Sequence, residues 1–194
     1  MPDTHAPRWA HSLPSALWLM APFDLLASLA MDLYLPVVPE MAVALRGATP
    51  ALVQLTLSVY LATLGLGQVL FGPLSDRIGR RPVLLGGAAL FTAASLALAL
   101  ASDGALFLAL RVVQGVGASA ALVATFATVR DVYADRPEGA TIYGLFGSML
   151  AFVPALGPIL GALLATAFGW RAIFLALAVL GGAAGLRAVG AWHA

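Results

Sequence analysis

The sequence contains no cysteine and no lysine. The absence of cysteine excludes disulfide bonds, thiolate metal sites and a cysteine nucleophile. The three histidines, His5, His11 and His193, lie near the ends of the chain, away from any group of acidic residues that would complete a metal site. We therefore interpret them as solvated or interfacial side chains, and we expect neither a metal ion nor a cofactor.

Charged residues of both signs are scarce. They make up 10% of the 194 residues, whereas hydrophobic residues make up 61%. A soluble domain, in contrast, carries charge on roughly a quarter of its residues. Arginine and acidic residues nearly balance to a net charge of +1, so the composition indicates no nucleic-acid partner. It predicts a protein that lies in a lipid bilayer.

Long uncharged stretches divide the sequence into membrane-spanning helices. A helix needs about 20 predominantly apolar residues to cross the hydrocarbon core. Stretches of this length are separated here by charges or by turn signals such as the AFGW segment at 167–170. The sequence predicts an all-α membrane protein with six transmembrane helices, at about 15–37, 51–73, 82–101, 105–129, 140–166 and 171–190.

The arginines are distributed asymmetrically between the ends of these spans. If the N-terminus is internal, only Arg46 and Arg171 lie outside, and the inner side receives Arg8, Arg77, Arg80, Arg81, Arg130, Arg136 and Arg187. This pattern satisfies the positive-inside rule and predicts a multi-pass protein of the inner (plasma) membrane with both termini cytoplasmic. We expect residues 1–14 to form a cytoplasmic segment and residues 15–194 a transmembrane domain whose first span has no clear cleavage site and is retained.

Four of the scarce charges fall within residues 76–81 of the segment GPLSDRIGRRPVLL, which extends from Gly72 to Leu85. We expect a short cytoplasmic turn between the second and third spans. In this turn Gly72 and Gly79 permit a tight reversal, and Asp76 accepts hydrogen bonds from a helix N-terminus. Arginines that only hold the orientation of the protein are an alternative explanation of the charges. They do not explain the ordered pattern Gly-x-Leu-Ser-Asp-Arg-x-Gly-Arg-Arg.

This pattern resembles the signature loop between helices 2 and 3 of the major facilitator superfamily. The matching residues are Gly72, Leu74, Asp76, Arg77, Gly79, Arg80 and Arg81. A second segment, RVVQGVGASA at 111–120, resembles the fourth-helix motif of the proton-coupled members. A third, at 154–163, resembles the fifth-helix motif of the antiporters, although Val153 and Ala162 stand where glycine is usual. Its motif residues are Pro154, Gly157, Pro158 and Gly161.

Further stretches resemble the phenicol exporters, the chloramphenicol and florfenicol efflux proteins. They are APFDLLASLAMDLYLPVVPEM, LVATFATVRDVYADRPEGATIYGLFGSMLAFVPALGP and GWRAIF. The resemblance implies the N-terminal six-helix half of a twelve-helix exporter that exchanges a small-molecule drug for protons. It also implies a missing C-terminal six-helix half, without which we expect this chain to insert into the membrane but not to transport.

The resemblance also implies a role for the signature loop. In the superfamily its aspartate and arginines form a charge cluster with the end of helix 4, here Arg130 and Asp131, and with helix 11. That cluster latches the inner gate in the outward-facing state. Since helix 11 lies outside this sequence, we expect Asp76 and the neighbouring arginines to face water and lipid headgroups.

Three charged residues lie within the predicted spans, Asp24 and Asp32 in the first and Arg111 in the fourth. Each costs about 3 kcal/mol or more in a bilayer, so we interpret them as residues for proton coupling and the substrate cavity. A buried ion pair that only fixes helix packing is the alternative. Estimated depths pair Arg111 with Asp32 and leave Asp24 as the other possible partner. We predict that Asp24 takes up the proton, while Arg111 keeps Asp32 ionised or releases it.

Several alternatives remain open at the level of sequence. A membrane-embedded enzyme that uses the two aspartates would need a second catalytic cluster or a metal set, and none is evident, so we expect no enzyme activity. A non-transporting remnant or interaction module, and an exporter half for another small uncharged drug, are further possibilities. The small residues of the fourth- and fifth-helix motifs also fit ordinary helix packing. Side chains that suit either substrate contacts or helix bridges are Tyr34, Gln54, Gln68 and Tyr143.

Overall fold

Helices form every regular element within residues 12–191, the part of the chain that the computed structural model describes. The α-helices are α1 Leu13–Asp32, α2 Val38–Ala44, α3 Pro50–Ile78, α4 Arg80–Leu100, α5 Gly104–Tyr133, α6 Pro137–Phe168 and α7 Arg171–Ala191. With α1 and α2 counted together, six spans are long and apolar enough to cross a membrane. The predicted all-helical, six-span architecture is therefore confirmed. The three histidines, Arg8 and residues 1–11 of the predicted cytoplasmic segment lie outside the described residues.

The helix ends differ from the predicted spans in two ways. α3 continues to Ile78 instead of about 73, and α5 continues to Tyr133 instead of about 129, because polar residues extend both helices beyond their apolar parts. The first span stops being α-helical at Asp32 and passes through a 3-10 turn, Leu35–Val37, into α2. Pro36 in this turn has no N–H group to bond to the carbonyl of Asp32. Asp32 therefore lies at a helix end.

Side-chain caps begin two of the longest helices. The hydroxyl of Thr49 accepts a hydrogen bond from the backbone N–H of Leu52 at 3.1 Å, and Pro50 occupies the first position of α3. The carboxylate of Asp103 accepts from the backbone N–H groups of Ala105 and Leu106 at 2.9 and 3.1 Å. These bonds satisfy N–H groups that have no partner inside the helix.

Hydrogen bonds between loops hold one end of the bundle together. The N–H of Arg46 donates to the carbonyl of Ser102 at 2.9 Å, and the N–H of Gly104 donates back to the carbonyl of Arg46 at 2.9 Å. Nη2 of Arg171 donates to the carbonyl of Ala101 at 3.1 Å. The ends of α3, α4, α5 and α7 are thereby joined.

A single residue makes the turn in the signature segment. Gly79 separates α3 from α4 with a φ of 97° and a ψ of 154°, a conformation that is essentially restricted to glycine. Gly72 lies inside α3, and Asp76 lies in its last turn, while the N-terminus of α4 has no side-chain cap. The predictions that Gly72 forms part of the turn and that Asp76 caps a helix are wrong. The backbone stays helical up to Ile78, so Asp76 instead pairs with Arg80 across the turn.

We expect Gly79→Ala to lower the free energy of unfolding by about 1–3 kcal/mol, because a non-glycine residue is strained in this backbone conformation. The effect is conformational, since the added Cβ would have its nearest neighbour, Cδ of Pro82, at 3.6 Å. Denaturation of the purified protein in detergent measures it. Gly86→Ala in α4 is the matched control, since its Cβ would meet no atom within 4 Å. Equal losses in the two variants would contradict the prediction.

Close glycine contacts join α4 and α5 at the centre of the bundle. A Cβ on Gly87 would lie 2.6 Å from the backbone nitrogen of Ala121, and a Cβ on Gly117 would lie 2.5 Å from the backbone nitrogen of Phe91. The two helices therefore touch backbone to backbone. This contact supports the packing interpretation of Gly117 in the fourth-helix motif.

Helices α3 and α6 are covered on one side only. In the most apolar stretch of each, 17% of the residues are buried within the bundle, compared with 50% in α4 and in α5. Large apolar side chains on the uncovered faces include Leu66, Val69, Leu70, Leu156, Ile159 and Leu163. These faces are therefore available for lipid or for another layer of helices.

Candidate functional site

A fully buried arginine lies in the centre of the bundle. Arg111 of α5 has no exposed surface. Its Nη1 donates hydrogen bonds to the carbonyl of Ala30 at 3.0 Å and to Oε1 of Gln114, and its Nη2 donates to the hydroxyl of Tyr34 at 3.2 Å. Neutral oxygen atoms therefore take the place of water at Nη1 and Nη2, while Nε is buried without a hydrogen-bond partner among the described residues.

Two tyrosine rings lie against the same guanidinium group. Cζ of Arg111 is 4.6 Å from the centre of the Tyr34 ring and 4.2 Å from the centre of the Tyr60 ring. At these distances a cation is attracted to the face of an aromatic ring. The Tyr60 ring is held in place because its hydroxyl donates to the carbonyl of Ala27 at 2.8 Å. The cation is thus fixed between α3 and the end of α1.

Further hydrogen bonds extend from the arginine to α3 and α4. The hydroxyls of Tyr34 and Thr56 share a hydrogen bond of 2.9 Å. Nε2 of Gln114 donates to the hydroxyl of Ser95 at 2.9 Å. The resulting arginine network consists of Tyr34, Thr56, Tyr60, Ser95, Arg111 and Gln114.

Neither predicted aspartate pairs with Arg111. Within residues 12–191 the arginine makes no ion pair, so the predicted pairing with Asp32 and the alternative pairing with Asp24 are both wrong. The guanidinium group instead donates hydrogen bonds to the carbonyl of Ala30 and to the hydroxyl of Tyr34. Asp32 lies against Gly157 of α6, whereas the backbone carbonyl of Ala30, two residues earlier, accepts a hydrogen bond from Arg111 of α5.

Both aspartates are buried without partners. Asp24 lies inside α1 and is 1% exposed, and Asp32 ends α1 and is 4% exposed. Neither carboxylate has a hydrogen bond or ion pair with another described residue. Oδ2 of Asp24 is fully buried without a partner among the described residues, which is an exception because nearly all buried polar groups in proteins are hydrogen-bonded. Ionisable groups of this kind inside a membrane often belong to proton pathways.

The fifth-helix motif packs against the end of α1. Pro154 and Pro158 lie inside α6, where each removes one N–H group from the backbone hydrogen bonds of the helix. Gly157 and Gly161 are buried. A Cβ on Gly157 would lie 2.8 Å from the Cβ of Asp32. The structure therefore brings this motif to one of the predicted site aspartates.

A charge cluster forms between the ends of α3, α4 and α5 from four of the six charged residues predicted for it, Asp76, Arg80, Arg130 and Asp131. Arg80 lies at its centre, 2.5 Å from Asp76 and 2.9 Å from Asp131. Arg130 lies 3.4 Å from Asp131 and 4.0 Å from Asp76. Each carboxylate lies beside two guanidinium groups, and the side chains of Asp76, Arg130 and Asp131 also remain exposed, so the expectation that these groups face water and headgroups stays a prediction.

The other residues of the signature segment have different surroundings. Arg77 is exposed and takes no part in the charge cluster. Arg81 lies against α7, with its Nη2 3.5 Å from a carbonyl oxygen of that helix. Ser75, which sequence reasoning missed, donates to the carbonyl of Gly72 at 2.9 Å and accepts from Arg80 at 2.5 Å. Gly72 thus contributes its backbone to the orientation of Arg80.

A cleft of about 440 Å³ opens beside the charge cluster, between α3, α5 and α6. The ring of Phe126 stacks on that of Tyr143 with a centroid distance of 6.0 Å. The polar and aromatic lining residues are Gln68, Asp76, Arg80, Phe126, Arg130 and Tyr143. Two of the side chains predicted as substrate contacts or helix bridges, Gln68 and Tyr143, therefore share one cleft.

Sequence reasoning missed several members of the arginine network. Thr56, Tyr60 and Ser95 gave no signal, because single polar side chains are ordinary within an apolar span. Gln114 lies in the segment that resembles the fourth-helix motif, three residues after Arg111. That spacing places both side chains on one face of α5, and it is a signal that could have identified Gln114.

Comparison with known proteins identifies the family. Residues 23–193 match the sequence profile of the Major Facilitator Superfamily. The chain belongs to the Major Facilitator Superfamily. The resemblance carried by the three motifs is confirmed, and the chain is a multi-pass membrane protein of this superfamily.

Within the Major Facilitator Superfamily, the chain is similar to two resistance proteins. It is 61% identical over 166 residues to a chloramphenicol resistance protein of Pseudomonas aeruginosa, in an alignment that covers 86% of this chain and 39% of the relative. It is 39% identical over 157 residues to the multidrug resistance protein MdtL of Escherichia coli O81 (strain ED1a), with coverage of 81% and 40%. The chain thus spans about two fifths of the length of the curated relatives it matches.

Proposed function

We propose that this chain forms the first six helices of an exporter that moves phenicol antibiotics out of the cell in exchange for protons. The observation that carries the proposal is the 61% identity to a chloramphenicol resistance protein. Florfenicol is included because three segments of the chain resemble the phenicol exporters as a group. The drug is a transported substrate and not the substrate of an enzyme.

The proposed location is the inner membrane, with both termini in the cytoplasm. Three arginines, Arg77, Arg80 and Arg81, lie where α3 meets α4, and Arg130 lies at the same end of the bundle, in the charge cluster with Arg80. The loop hydrogen bonds at the other end of the bundle involve two arginines, Arg46 and Arg171. The positive-inside rule therefore favours a cytoplasmic position for the charge cluster.

Asp24 and Asp32 are the proposed proton-binding groups. Both carboxylates are buried in a span and have no partner among residues 12–191. Arg111 makes no direct ion pair with them. We assign it the role of a fixed positive charge, which the arginine network holds in place and whose field acts on the carboxylates through the bundle.

A second six-helix layer is the proposed partner. The uncovered faces of α3 and α6 are the surfaces proposed for it, because no other described helix packs against them. Transporters of this kind bind substrate between two such halves, and the relatives are long enough to contain both. In this arrangement the charge cluster would latch the inner gate against the second layer.

A second candidate substrate is another small uncharged drug. The 39% identity to a multidrug resistance protein favours it. Apolar cavity walls with few polar groups accept ligands of similar shape, so the same bundle suits either substrate class.

Drug uptake into proteoliposomes that contain the complete exporter tests the proposal. We expect an acidic vesicle interior to drive uptake of radiolabelled chloramphenicol, because protons leaving the vesicle exchange for drug entering it. A protonophore should abolish this uptake. The drug recovered from the vesicles should be chemically unchanged, which distinguishes an exporter from an enzyme.

Protein-free liposomes provide the baseline for this experiment. If the pH gradient drives uptake of an unrelated uncharged drug but not of chloramphenicol, the substrate belongs to the second candidate class and not to the phenicols. If folded protein takes up neither drug in response to the gradient, export by proton exchange is refuted.

A further inference from the structure

Two neighbouring grooves on the surface of the bundle share the side chain of Trp18. The first groove, about 330 Å³, lies between α1 and α7, and the second, about 280 Å³, lies between α1 and α6. Trp18, Pro22 and Leu25 line both grooves and form a ridge between them. Trp18 is 70% exposed, so the other described helices leave this ridge largely uncovered.

The walls of the two grooves are almost entirely apolar. Leu26 and Leu29 of α1 and Leu180 and Ala183 of α7 line the first groove, and the other apolar wall residues of the second are Leu17, Ala21 and Met149. Arg187 of α7 is the only charged residue among the described residues that line either groove. The site therefore suits a ligand that is apolar over most of its length and polar at one end.

Arg187 carries a positive charge that no described residue neutralises. The side chain is exposed, and its Cζ lies 5.5 Å from the centre of the Trp18 ring. Within residues 12–191 it makes no ion pair with a carboxylate. α7 itself contains no acidic residue. The polar end of a complementary ligand is therefore an anion.

Arg187 and Trp18 lie near the membrane surface. Trp18 lies five residues after the start of α1, and Arg187 lies four residues before the end of α7. Nη2 of Arg81 donates to the carbonyl of Val189 at 3.5 Å, which places this end of α7 beside the start of α4. Tryptophan and arginine are typical of the boundary between headgroups and hydrocarbon. From Trp18 the first groove extends to Leu29, about 16 Å along α1.

We propose that the two grooves bind the two acyl chains of one anionic phospholipid, with its phosphate beside Arg187 and Trp18. A planar guanidinium group with several N–H donors suits a phosphate group. The ridge of Trp18, Pro22 and Leu25 separates the chains, and this arrangement suits a diacyl lipid better than a single-chain detergent. The inference goes beyond the proposed export and does not depend on it. The proposed orientation of the chain places the lipid in the cytoplasmic leaflet.

Other occupants fit the charge and the position of the grooves less well. A second copy packed symmetrically on this face would bring its own Arg187 to the same interface, where like charges repel. The proposed second layer of helices packs on the uncovered faces of α3 and α6, whereas the groove that contains Arg187 lies between α1 and α7. This groove therefore remains open to the bilayer in the complete protein.

Native mass spectrometry of the complete protein, with dioleoyl phosphatidylglycerol added to the detergent micelles, tests the inference. We expect Arg187→Gln to weaken binding of the tightest lipid about fivefold, the size of the attraction of one arginine to an anionic lipid surface. Arg136→Gln is the matched control and should not change binding. Arg136 is likewise exposed and contacts one aromatic ring at 5.7 Å, but it lines neither groove.

The wild type should also distinguish between headgroups. Dioleoyl phosphatidylcholine has the same acyl chains and no net charge, so it should bind more weakly than phosphatidylglycerol and respond less to Arg187→Gln. Equal affinity of the wild type for the two lipids would overturn the inference. So would unchanged binding of phosphatidylglycerol in Arg187→Gln, or equal weakening by Arg187→Gln and Arg136→Gln.

Ala183→Phe tests the position of the acyl chains without a change of charge. Ala183 is exposed and lines the first groove, so a phenyl ring would occupy the space of a lipid chain. We expect this variant to bind both lipids severalfold more weakly. Val179→Phe is the matched control, because Val179 lies on the same helix, is 69% exposed and lines neither groove. Binding by Ala183→Phe equal to that of the control would overturn the inference.

The same spectra report the oligomeric state. If Arg187→Gln or Ala183→Phe converts a dimer into a monomer and leaves lipid binding unchanged, the grooves belong to an interface between copies and the lipid site is refuted. Failure of the wild type to transport drug in proteoliposomes would refute the proposed function, and it would leave these binding measurements unaffected.

Discussion

Asp24→Asn in the complete exporter should abolish uptake of chloramphenicol driven by a pH gradient. Asp24 is buried inside α1, and its Oδ2 has no hydrogen-bond partner in the described part of the chain. A carboxyl group binds and releases a proton, whereas a carboxamide of nearly the same shape does not. Cells that express the variant should therefore be as sensitive to chloramphenicol as cells without the exporter.

Thermal unfolding separates this effect from a loss of the fold. The Asp24 side chain has no hydrogen bond or ion pair with a described residue that the substitution would remove, so the unfolding temperature should change little. Asp135→Asn is the matched control, because Asp135 is exposed between α5 and α6, and it should retain full transport. Wild-type resistance with Asp24→Asn would exclude Asp24 from the coupling mechanism.

Arg111→Ala should be strongly destabilising and should eliminate transport. The substitution removes three hydrogen bonds and two aromatic contacts from the centre of the bundle. Hydrogen bonds between membrane helices contribute about 0.6–1.7 kcal/mol each, so we expect the free energy of unfolding to fall by about 2–5 kcal/mol. Reversible denaturation in detergent measures this loss, and proteoliposome uptake measures the loss of transport.

Arg111→Lys distinguishes the charge from the geometry of the guanidinium group. Lysine keeps the positive charge but does not reproduce the planar group that lies between Tyr34 and Tyr60, so most transport should still be lost. Arg136→Ala is the control. Arg136 is exposed and contacts a single ring at 5.7 Å, and its substitution should alter stability by no more than about 0.5 kcal/mol. Full transport by Arg111→Lys would show that the charge alone is sufficient.

The six spans were predictable because membrane crossing depends on the length and polarity of each segment taken separately. The turn at Gly79 was predictable for a related reason, since glycine stands between two charged helix ends. The helical state of residues 72–78 was not, because turn-forming and helix-ending residues occur together in that segment. The break at Asp32 was missed as well, although Pro36 marks it.

The candidate site was predictable in its charged members and not in their contacts. Asp24, Asp32 and Arg111 were identified because any charge inside an apolar span is costly. Their predicted pairing relied on depth alone, and depth does not specify the direction in which a side chain points. The tyrosines that contact Arg111 carry no charge, so a search for compensating charges could not find them.

The amino-acid sequence was sufficient to specify a membrane protein with six spans, its superfamily motifs and the residues whose charges require an explanation. These properties depend on transfer free energies and local patterns, which belong to each segment regardless of its neighbours. The partners of Arg111, the contact of Asp32 with Gly157 and the pairing within the charge cluster depended on the folded bundle. Each residue along a helix turns its side chain by 100°, so a small change in the rotation or length of a helix selects different partners.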